Sequence, residues 1–261
     1  MKLSLCIPAY NEEKNISYPI ASAIDLVDEV VVIDAGSTDR TAEIAASFGK
    51  KVKICKTDNP RNFLENKVRA IEKAKGEWIL QLDADEALSN ELKQEINEIV
   101  FGESKSKFDG YWMPRKNFFL TRFLMKGGVY PDYVLRLYKK EKAHFDLKDL
   151  HENVKIKGKV GYLKNDLLHY ADPNFSRYLL RWDRYTTFDA EELLKKYPKE
   201  KLTKVKEARL FIDYFFVKPL VWFLKTYIRH KGFLDGFAGF VFCLFSSIRF
   251  WVIFIKFKVK S

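Results

Sequence analysis

Two aspartates, Asp83 and Asp85, follow the apolar run from Trp78 to Leu82 and are separated by a single alanine. Side chains two residues apart in an extended chain point to the same side, so both carboxylates would face one way. Like charges this close repel each other unless a cation or hydrogen-bond donors offset them. Two carboxylates suffice for Mn²⁺ or Mg²⁺ when a bound phosphate and water supply the other ligands. The pair predicts a divalent metal site; the competing interpretation is a solvated acidic loop before a helix that begins near Ser89.

Strand and helix patterns alternate through the first 100 residues. The predicted strands cover 2–7, 29–34, 52–55 and 77–82, and the predicted helices cover 12–26, 38–48 and 63–74. This alternation predicts βαβ units and a parallel sheet, which binds ligands at the carboxyl ends of its strands. Three polar segments occupy such ends, namely 8–11, 34–39 and 83–86. We therefore expect these segments to form one site.

The 261 residues suffice for one α/β domain with an appendage, which we place at 1–200 and 201–261. The chain has a net charge of +11 and contains 22 Phe, 13 Tyr and 5 Trp. Residues 200–261 hold twelve Lys and Arg against four Asp and Glu, which is +8 of that charge. Their apolar runs are too continuous for a base-stacking surface, so we expect no nucleic-acid partner. A membrane surface with anionic lipids explains the basic and the apolar residues together.

The apolar segment from Gly236 to Ile255 is long enough to cross a bilayer at about 1.5 Å per residue. Two serines and Arg249 interrupt it, so we expect interfacial or re-entrant helices. The alternative is a helix pair packed on the first domain. Three widely spaced cysteines suit a reducing compartment, and residues 3–7 are too short for the apolar core of a targeting signal. The predicted location is the cytoplasmic face of a membrane, as a peripheral or monotopic protein.

Three motifs follow predicted strands in a fixed order. They are Ile7-Pro8-Ala9-Tyr10-Asn11-Glu12, then VIDAGSTDRT at 32–41, then Leu82-Asp83-Ala84-Asp85-Glu86. Together they resemble the family 2 glycosyltransferases, which have the GT-A fold, an α/β Rossmann-like architecture with a mostly parallel sheet flanked by helices. Two downstream segments, 150–152 and 231–236, resemble the branch that includes lipopolysaccharide core β-glucosyltransferases.

This resemblance implies an inverting, metal-dependent enzyme that moves a single sugar from a UDP-sugar, glucose-type favoured. The implied acceptor is a membrane-associated glycolipid, similar to a lipopolysaccharide core, or a lipid-linked molecule. Processive members of the family carry a Q-x-x-R-W signature, but Tyr178 stands at the glutamine position before Arg181 and Trp182, which favours transfer of one sugar. Polyprenyl-phosphate sugar synthases share the early motifs, so a lipid phosphate stays open as the acceptor.

The resemblance also implies which residues bind the nucleoside: Pro8, Tyr10, Glu12 and Asp34. Tyr10 would stack on the pyrimidine, Glu12 would bind ribose hydroxyls, and Asp34 would accept a hydrogen bond from the uracil ring. The competing interpretations are a core or hinge aromatic for Tyr10 and a helix-start acid for Glu12. Asp39 is explained equally well as a structural residue.

For the diphosphate, the resemblance implies that Asp83 approaches the ribose and that Asp85 coordinates the metal, with Asp83 as a further ligand. Basic groups stabilise the charge that develops on the leaving nucleoside diphosphate, and Lys67, Arg69 and Arg136 are the candidates. Lys67 and Arg69 lie on a predicted helix, where lysines and arginines are usually solvated. Arg136 alternates with apolar residues in a predicted strand and needs a partner. His169 follows an apolar run and is either a third metal ligand or a core histidine.

An inverting transfer needs one general base for the acceptor hydroxyl. The resemblance points to Glu152, which follows His151. Asp85 is the second predicted catalytic residue, as the metal ligand. Asp85 and its neighbour Glu86 are less suitable bases, because metal binding and the end of the strand would occupy them. A glutamate in a loop is otherwise a surface residue.

Two functions of other classes compete with this interpretation. A nucleotidyltransferase also uses paired acids and Mg²⁺, but it normally has a Gly-rich basic loop near its N-terminus, which residues 8–12 lack. A non-catalytic membrane scaffold would bind lipid without binding nucleotide in a metal-dependent way.

Overall fold

The computed structural model describes residues 1–58, 63–104, 106–145 and 154–259. The chain divides into two compact units. The first contains Met1–Lys116 and Asp132–His169, and the second contains Asn117–Pro131 and Tyr170–Ser261. The predicted division into a catalytic domain, 1–200, and a membrane-associating extension, 201–261, stays a prediction.

The bounds of the strands and helices are as follows. The strands are β1 (Leu3–Ala9), β2 (Glu29–Asp34), β3 (Val52–Lys56), β4 (Trp78–Gln81), β5 (Glu86–Leu88), β6 (Gly110–Phe119), β7 (Arg122–Leu124), β8 (Asp132–Lys139), β9 (Ala143–His144), β10 (Lys155–Ile156), β11 (Val160–Tyr162) and β12 (Leu167–Asp172). The helices are α1 (Ser17–Ala23), α2 (Thr41–Ala46), α3 (Phe63–Lys73), α4 (Asn90–Phe101), α5 (Phe175–Lys196), α6 (Lys204–Ile212), α7 (Lys218–Phe223) and α8 (Gly236–Val259).

The main sheet has the strand order β3-β2-β1-β4-β8-β6-β12-β5. Strands β3, β2, β1 and β4 are parallel to one another. The sheet continues with β8, which is antiparallel to β4, and β6, which is antiparallel to β8. The predicted α/β architecture with helices around a parallel sheet is confirmed, and antiparallel strands extend it on one side.

Strands β1 and β2 are buried along their whole length, as their nearly continuous apolar sequences require. On one face of the sheet, Leu5 packs in a cluster with Ile20 of α1. On the other face, Ile79 of β4 packs in a cluster with Ala70 of α3. Both faces of the parallel strands are therefore covered by helices. The polar segments lie beyond this apolar core, where the strands end.

The predicted beginnings of two helices are wrong. Helix α1 begins at Ser17, although the pattern indicated residue 12, and α2 begins at Thr41, although the pattern indicated residue 38. Before α1, the Asn11 side chain accepts a hydrogen bond from the Thr38 N–H of the loop after β2, and before α2, the Asp39 side chain accepts one from the Thr41 N–H. Short polar side chains compete in this way with helix formation.

Strand β5 was not predicted from the sequence, and a solvated loop before α4 was only the competing interpretation of the acidic motif. Its residues are buried and pair with β12 in antiparallel register, with Glu86 opposite His169. Three residues are too few to show a period. The next helix, α4, starts where expected, because the Ser89 side chain accepts a hydrogen bond from the backbone N–H of Leu92 at 3.1 Å.

Glu29 is the first residue of β2, and its buried carboxylate leads to a prediction about pH. Its side chain is only 1% exposed and accepts hydrogen bonds from Lys53 Nζ at 2.6 Å and Ser4 Oγ at 2.8 Å. Burial alone would raise the pKa of Glu29, but these donors and the Lys75 backbone N–H lower it. A carboxylate whose pKa is lowered by folding stabilises the fold above the unfolded pKa, about 4.3 for Glu, and loses that contribution as the pH falls further.

We therefore expect Glu29→Gln to be less stable at pH 7 by about 1–3 kcal/mol, because hydrogen bonds to a charged group are lost. Between about pH 5 and pH 3, the variant should lose less stability than the parent. Urea unfolding at several pH values measures both effects. Glu98→Gln is the control, since Glu98 is exposed. Equal acid sensitivity of the parent and the Glu29 variant would contradict the assignment.

The second unit is built around helices α5 to α8. One cluster joins Leu193 of α5, Leu210 of α6 and Phe257 of α8. A second cluster joins Phe119 to Tyr178 and Ala238. From Lys204 to Arg229 the chain is helical without interruption, with π-helical turns at Asp213–Val217 and Leu224–Arg229.

The segment Gly232–Val259 is long and apolar enough to cross a membrane by length and composition. About a third of its most apolar stretch, 33%, is buried inside the protein. A core helix can meet the same criterion, so this segment alone is weak evidence of a membrane span.

Candidate active site at the carboxyl ends of the parallel strands

The loops that follow β1, β2 and β4 leave the sheet at the same edge, because these strands are parallel neighbours. Ala9 lies opposite Asp34 in the ladder. The backbone N–H of Leu82, just past β4, donates to the carbonyl of Cys6 at 3.1 Å. The three polar segments expected to share a site are therefore neighbours at one sheet edge.

Asn11 ties the first loop to the second. Its backbone N–H donates to Ser37 Oγ at 3.0 Å, and its Oδ1 accepts from the Thr38 N–H at 2.8 Å. Asn11 has φ = 54° and Gly36 has φ = 77°. Asparagine and glycine are the residues that adopt this left-handed region most readily. The motif residues thus fix the shape of both loops.

Asp39 has a structural role in the same loops. Its Oδ1 accepts from the backbone N–H of Thr41 at 3.0 Å, and its Oδ2 accepts from that of Glu13 at 3.1 Å. Burial would raise the pKa of Asp39, but the bonds from Thr41 and Glu13 lower it. These bonds explain Asp39 as a structural residue of the two loops.

The four residues predicted to bind the nucleoside lie in these two loops and their strands. Tyr10 is 41% exposed, so it is not a core aromatic. Asp34 is 2% exposed and accepts from the Ser37 N–H at 3.0 Å, while Pro8 is buried in β1. Glu12 accepts from Asn15 Nδ2 at 2.6 Å. Their roles toward a nucleotide stay predictions.

Asp83 lies between two cations. Lys67 Nζ of α3 is 2.7 Å from its Oδ1, and Arg136 Nη2 of β8 contacts its Oδ2. Burial alone would raise the pKa of Asp83, but the charges of Arg136 and Lys67 hold it well below its ordinary range. The structure thus brings Lys67 and Arg136, both predicted from the sequence, to the same acid.

Glu86 holds Arg136 from the other side. It is completely buried, and its Oε1 accepts from Arg136 Nη2 at 2.9 Å and from Arg115 Nη1 at 3.0 Å. Its Oε2 accepts from the Asp83 backbone N–H at 2.9 Å. Arg115 also contacts Asp132 at 2.7 Å. A row of alternating charges therefore crosses β5, β6 and β8 and fixes Arg136 beside Asp83.

Asp85 and His169 form a second pair at this edge. His169 Nε2 of β12 is 3.4 Å from Asp85 Oδ1, and both side chains are largely buried, at 12% and 17% exposed. The pairing of β12 with β5 places His169 next to the acidic motif. Both residues were predicted ligands of one metal ion, and the structure places them side by side. Their role toward a metal stays a prediction.

The residues present fit a divalent metal that binds together with a phosphorylated ligand. Within the described ranges, no three His, Cys, Asp or Glu side chains cluster as a metal site. Asp85 and His169 offer a carboxylate oxygen and an imidazole nitrogen, which suit Mn²⁺. A diphosphate and water would supply the remaining ligands. Asp83, the other predicted ligand, is engaged by its two cations.

One predicted residue is not described by the structure, and three residues of the site were not predicted. Glu152, the candidate base, lies outside the described residues, as does His151. Sequence reasoning missed Arg115 and the roles of Glu86 and Asn11. Arg115 gave the same signal as Arg136, a guanidinium in a strand that needs a partner, and could have been found in that way.

Comparison with known proteins adds the family context. Residues 4–154, more than half of the chain, match the family described as glycosyl transferase family 2. An uncharacterized glycosyltransferase of Rickettsia typhi is 28% identical over 95% of this chain and 84% of its own length. The lipopolysaccharide core biosynthesis glycosyltransferase LpsC of Rhizobium meliloti is 24% identical over 96% of this chain and 92% of its own length.

A solved structure shares the fold. The mannosyltransferase PcManGT from Pyrobaculum calidifontis, in complex with GDP-Man and Mn²⁺, has a TM-score of 0.55 at 11% identity, over 99% of this chain and 87% of that one. At this identity the likeness concerns the fold alone. The predicted GT-A fold is confirmed.

Proposed function

This chain belongs to glycosyl transferase family 2, and from that membership we propose that it moves one sugar from a UDP-sugar, glucose-type favoured, to a membrane-associated glycolipid. The observation that carries the proposal is the strand-end cluster, in which Asp83 is held by Lys67 and Arg136 while Asp85 lies beside His169. Paired acids and fixed cations at one sheet edge suit a nucleoside diphosphate.

In this proposal the first two loops bind the nucleoside. The exposed ring of Tyr10 stacks on the pyrimidine, and Asp34 and Glu12 accept hydrogen bonds from the uracil ring and the ribose. Asp83 approaches the ribose. Lys67 and Arg136 are then close enough to the diphosphate to offset the negative charge that grows on it as the sugar leaves.

A divalent ion, Mn²⁺ or Mg²⁺, would be held by Asp85 and His169 together with the donor diphosphate, and Asp83 stays a candidate ligand. When bound, the ion supplies Lewis-acid stabilisation of the leaving diphosphate. The alternation of charges from Asp132 to Asp83 holds Arg136 beside Asp83. Such preorganised groups stabilise the transition state because they need no rearrangement during the reaction.

The transfer inverts the anomeric carbon in a single displacement. The acceptor oxygen attacks that carbon, the bond to the diphosphate breaks, and UDP leaves with the electron pair of that bond. The acceptor proton passes to a general base, and Glu152 is the proposed base. Inversion requires no second nucleophilic carboxylate.

The relatives and the second unit support the proposed acceptor and location. The lipopolysaccharide core glycosyltransferase LpsC, which matches nearly the whole chain, supports a core-like glycolipid acceptor. A polyprenyl phosphate is the alternative acceptor. The apolar, basic helices between residues 204 and 259 support a peripheral or monotopic position at the cytoplasmic face of a membrane.

A donor and acceptor panel tests this function. The purified chain is incubated with Mn²⁺, with UDP-sugars, GDP-mannose or nucleoside triphosphates, and with either a truncated lipopolysaccharide or a polyprenyl phosphate. We expect a hexose from UDP-glucose on the glycolipid, in β linkage by NMR. Transfer to the lipid phosphate alone would establish the alternative acceptor. Pyrophosphate release from a triphosphate would favour a nucleotidyltransferase, and absence of any turnover or nucleotide binding would favour a scaffold.

A further inference from the structure

A row of exposed apolar side chains runs along the second unit, on the continuous helix from Lys204 to Arg229. We name it the exposed stripe, and it consists of Val205, Ile212, Phe216, Leu220, Leu224 and Ile228. Each of these side chains is between 49% and 77% exposed. Exposure of so many large apolar groups in one row marks an interaction surface rather than ordinary surface composition.

The helix geometry keeps this row on one side. From Ile212 to Ile228 the stripe contains every fourth residue. In an α-helix of 3.6 residues per turn, positions four apart drift around the axis by about 40° at each step. The two π-helical turns, Asp213–Val217 and Leu224–Arg229, hold more residues per turn and counteract the drift. The stripe therefore stays on one side of the helix along its whole length. A row on one side can contact a flat surface with all of its side chains at once.

The opposite side of the same helix is already packed. Phe215 lies edge-on to Phe254 of α8, with ring centroids 5.7 Å apart, and Tyr214 and Trp222 both contact Phe250. Leu210 is buried in the same region. The helix is thus held in place by one apolar side while the exposed stripe faces away from its neighbours.

The charges along this helix favour one partner. Residues 204–229 contain six Lys and Arg against two Asp and Glu, a net charge of +4. Both acids are paired, Glu207 with Lys258 and Asp213 with Lys218. Among the described residues, Lys206 and Arg209 make no ion pair with an acid. A second copy of this chain would bring the same positive charge against itself, whereas anionic lipid headgroups complement it.

We propose that the exposed stripe is the surface by which this protein enters an anionic bilayer, with the helix Lys204–Arg229 lying in the plane of the interface. The apolar side chains reach the boundary between headgroups and acyl chains, and the basic residues beside them meet the headgroups. The proposal rests on the membrane location given above, and it names the face that makes the contact. It does not depend on which donor or acceptor the enzyme uses.

Vesicle flotation of the purified full chain tests the proposal. The vesicles are phosphatidylcholine, alone or with one quarter phosphatidylglycerol. We expect Phe216→Glu with Leu220→Glu to lower partitioning onto the mixed vesicles at least about tenfold, because two buried apolar contacts are lost. The matched control is Leu180→Glu with Tyr185→Glu on α5, whose side chains are 76% and 54% exposed. The control should bind as the parent does.

A charge variant tests the headgroup contact separately. Lys206→Gln with Arg209→Gln should weaken binding to the mixed vesicles by about fivefold per charge, or about 25-fold in total, and leave binding to neutral vesicles unchanged. The proposal is overturned if the parent does not bind vesicles, or if the stripe variant binds as the parent does. An equal loss in the α5 control would also overturn it. A change in oligomeric state of the stripe variant without a change in vesicle binding would instead assign the surface to a second copy.

One further measurement distinguishes a failure of the membrane-surface proposal from a failure of the proposed glycosyltransferase function. Thermal stabilisation by UDP with Mn²⁺ is measured on the stripe variant in the absence of lipid. We expect the parent value, since no stripe residue belongs to the strand-end site. Retained nucleotide binding with lost vesicle binding isolates the membrane surface, whereas lost nucleotide binding would show that the substitutions disturb the fold and would contradict a purely surface role.

Discussion

Asp85→Asn is expected to lower kcat by about 10²–10³-fold, the loss that follows removal of one electrostatic stabilising group in an active site. Asparagine keeps the size of the side chain but removes the carboxylate charge that lies beside His169 and would bind the metal. Because the carboxylate is one of several groups in the site, the fold should remain intact. Initial rates with saturating UDP-sugar at several Mn²⁺ concentrations measure the effect.

The control for this prediction is Asp25→Asn. Asp25 is an aspartate of the same unit, 64% exposed, whose ion pair with Lys93 lies on the surface. Exposed pairs contribute little to stability, so this variant should turn over as the parent does. Full activity of Asp85→Asn with undiminished metal dependence would show that the catalytic centre is elsewhere.

Glu86→Gln is expected to be the most destabilising single change in the site, by about 3–5 kcal/mol. Glu86 is completely buried and is the acceptor shared by Arg115 and Arg136. Removing its charge leaves two largely buried guanidinium groups with fewer acidic partners, which costs more than the pair itself contributes. Urea unfolding at pH 7 measures the free energy of unfolding.

The size of this effect can be ranked against two other glutamates. Glu29→Gln should cost less, because its cationic partner Lys53 is 45% exposed and can turn to water. Glu98→Gln should cost almost nothing, because Glu98 is exposed. If Glu86→Gln were as stable as Glu98→Gln, the row of charges would not hold Arg136 in place.

The sequence was sufficient to predict the parallel part of the fold and the family. Buried parallel strands have nearly continuous apolar sequences, and β2 has the predicted bounds, Glu29–Asp34. Polar residues at the ends of such strands must share one edge of the sheet, which placed the acidic motif next to Asn11 and Asp34. The role of Arg136 could also be predicted, because a guanidinium inside a strand needs an acidic partner.

The remaining features depend on contacts between distant parts of the chain. Strand β5 has three residues and exists because β12, about 80 residues later, pairs with it. Pairings at that separation leave no periodic trace in the local sequence. The contact of His169 with Asp85 and the position of Arg115 beside Glu86 follow from the same pairing and from the register of β6 and β8. The late start of α1 has a similar cause, since Asn11 bonds to the loop after β2 rather than to its own helix.

The most direct test of the donor site is the thermal shift of the parent and of Asp85→Asn with UDP, with and without Mn²⁺. A ligand at a hundred times its Kd stabilises the folded state by about 2.7 kcal/mol, which is readily detected. We expect UDP to stabilise the parent only when Mn²⁺ is present, and this stabilisation to be lost in Asp85→Asn. Equal stabilisation of both proteins, a preference for nucleoside triphosphates, or no response to any nucleotide would contradict the proposed donor site.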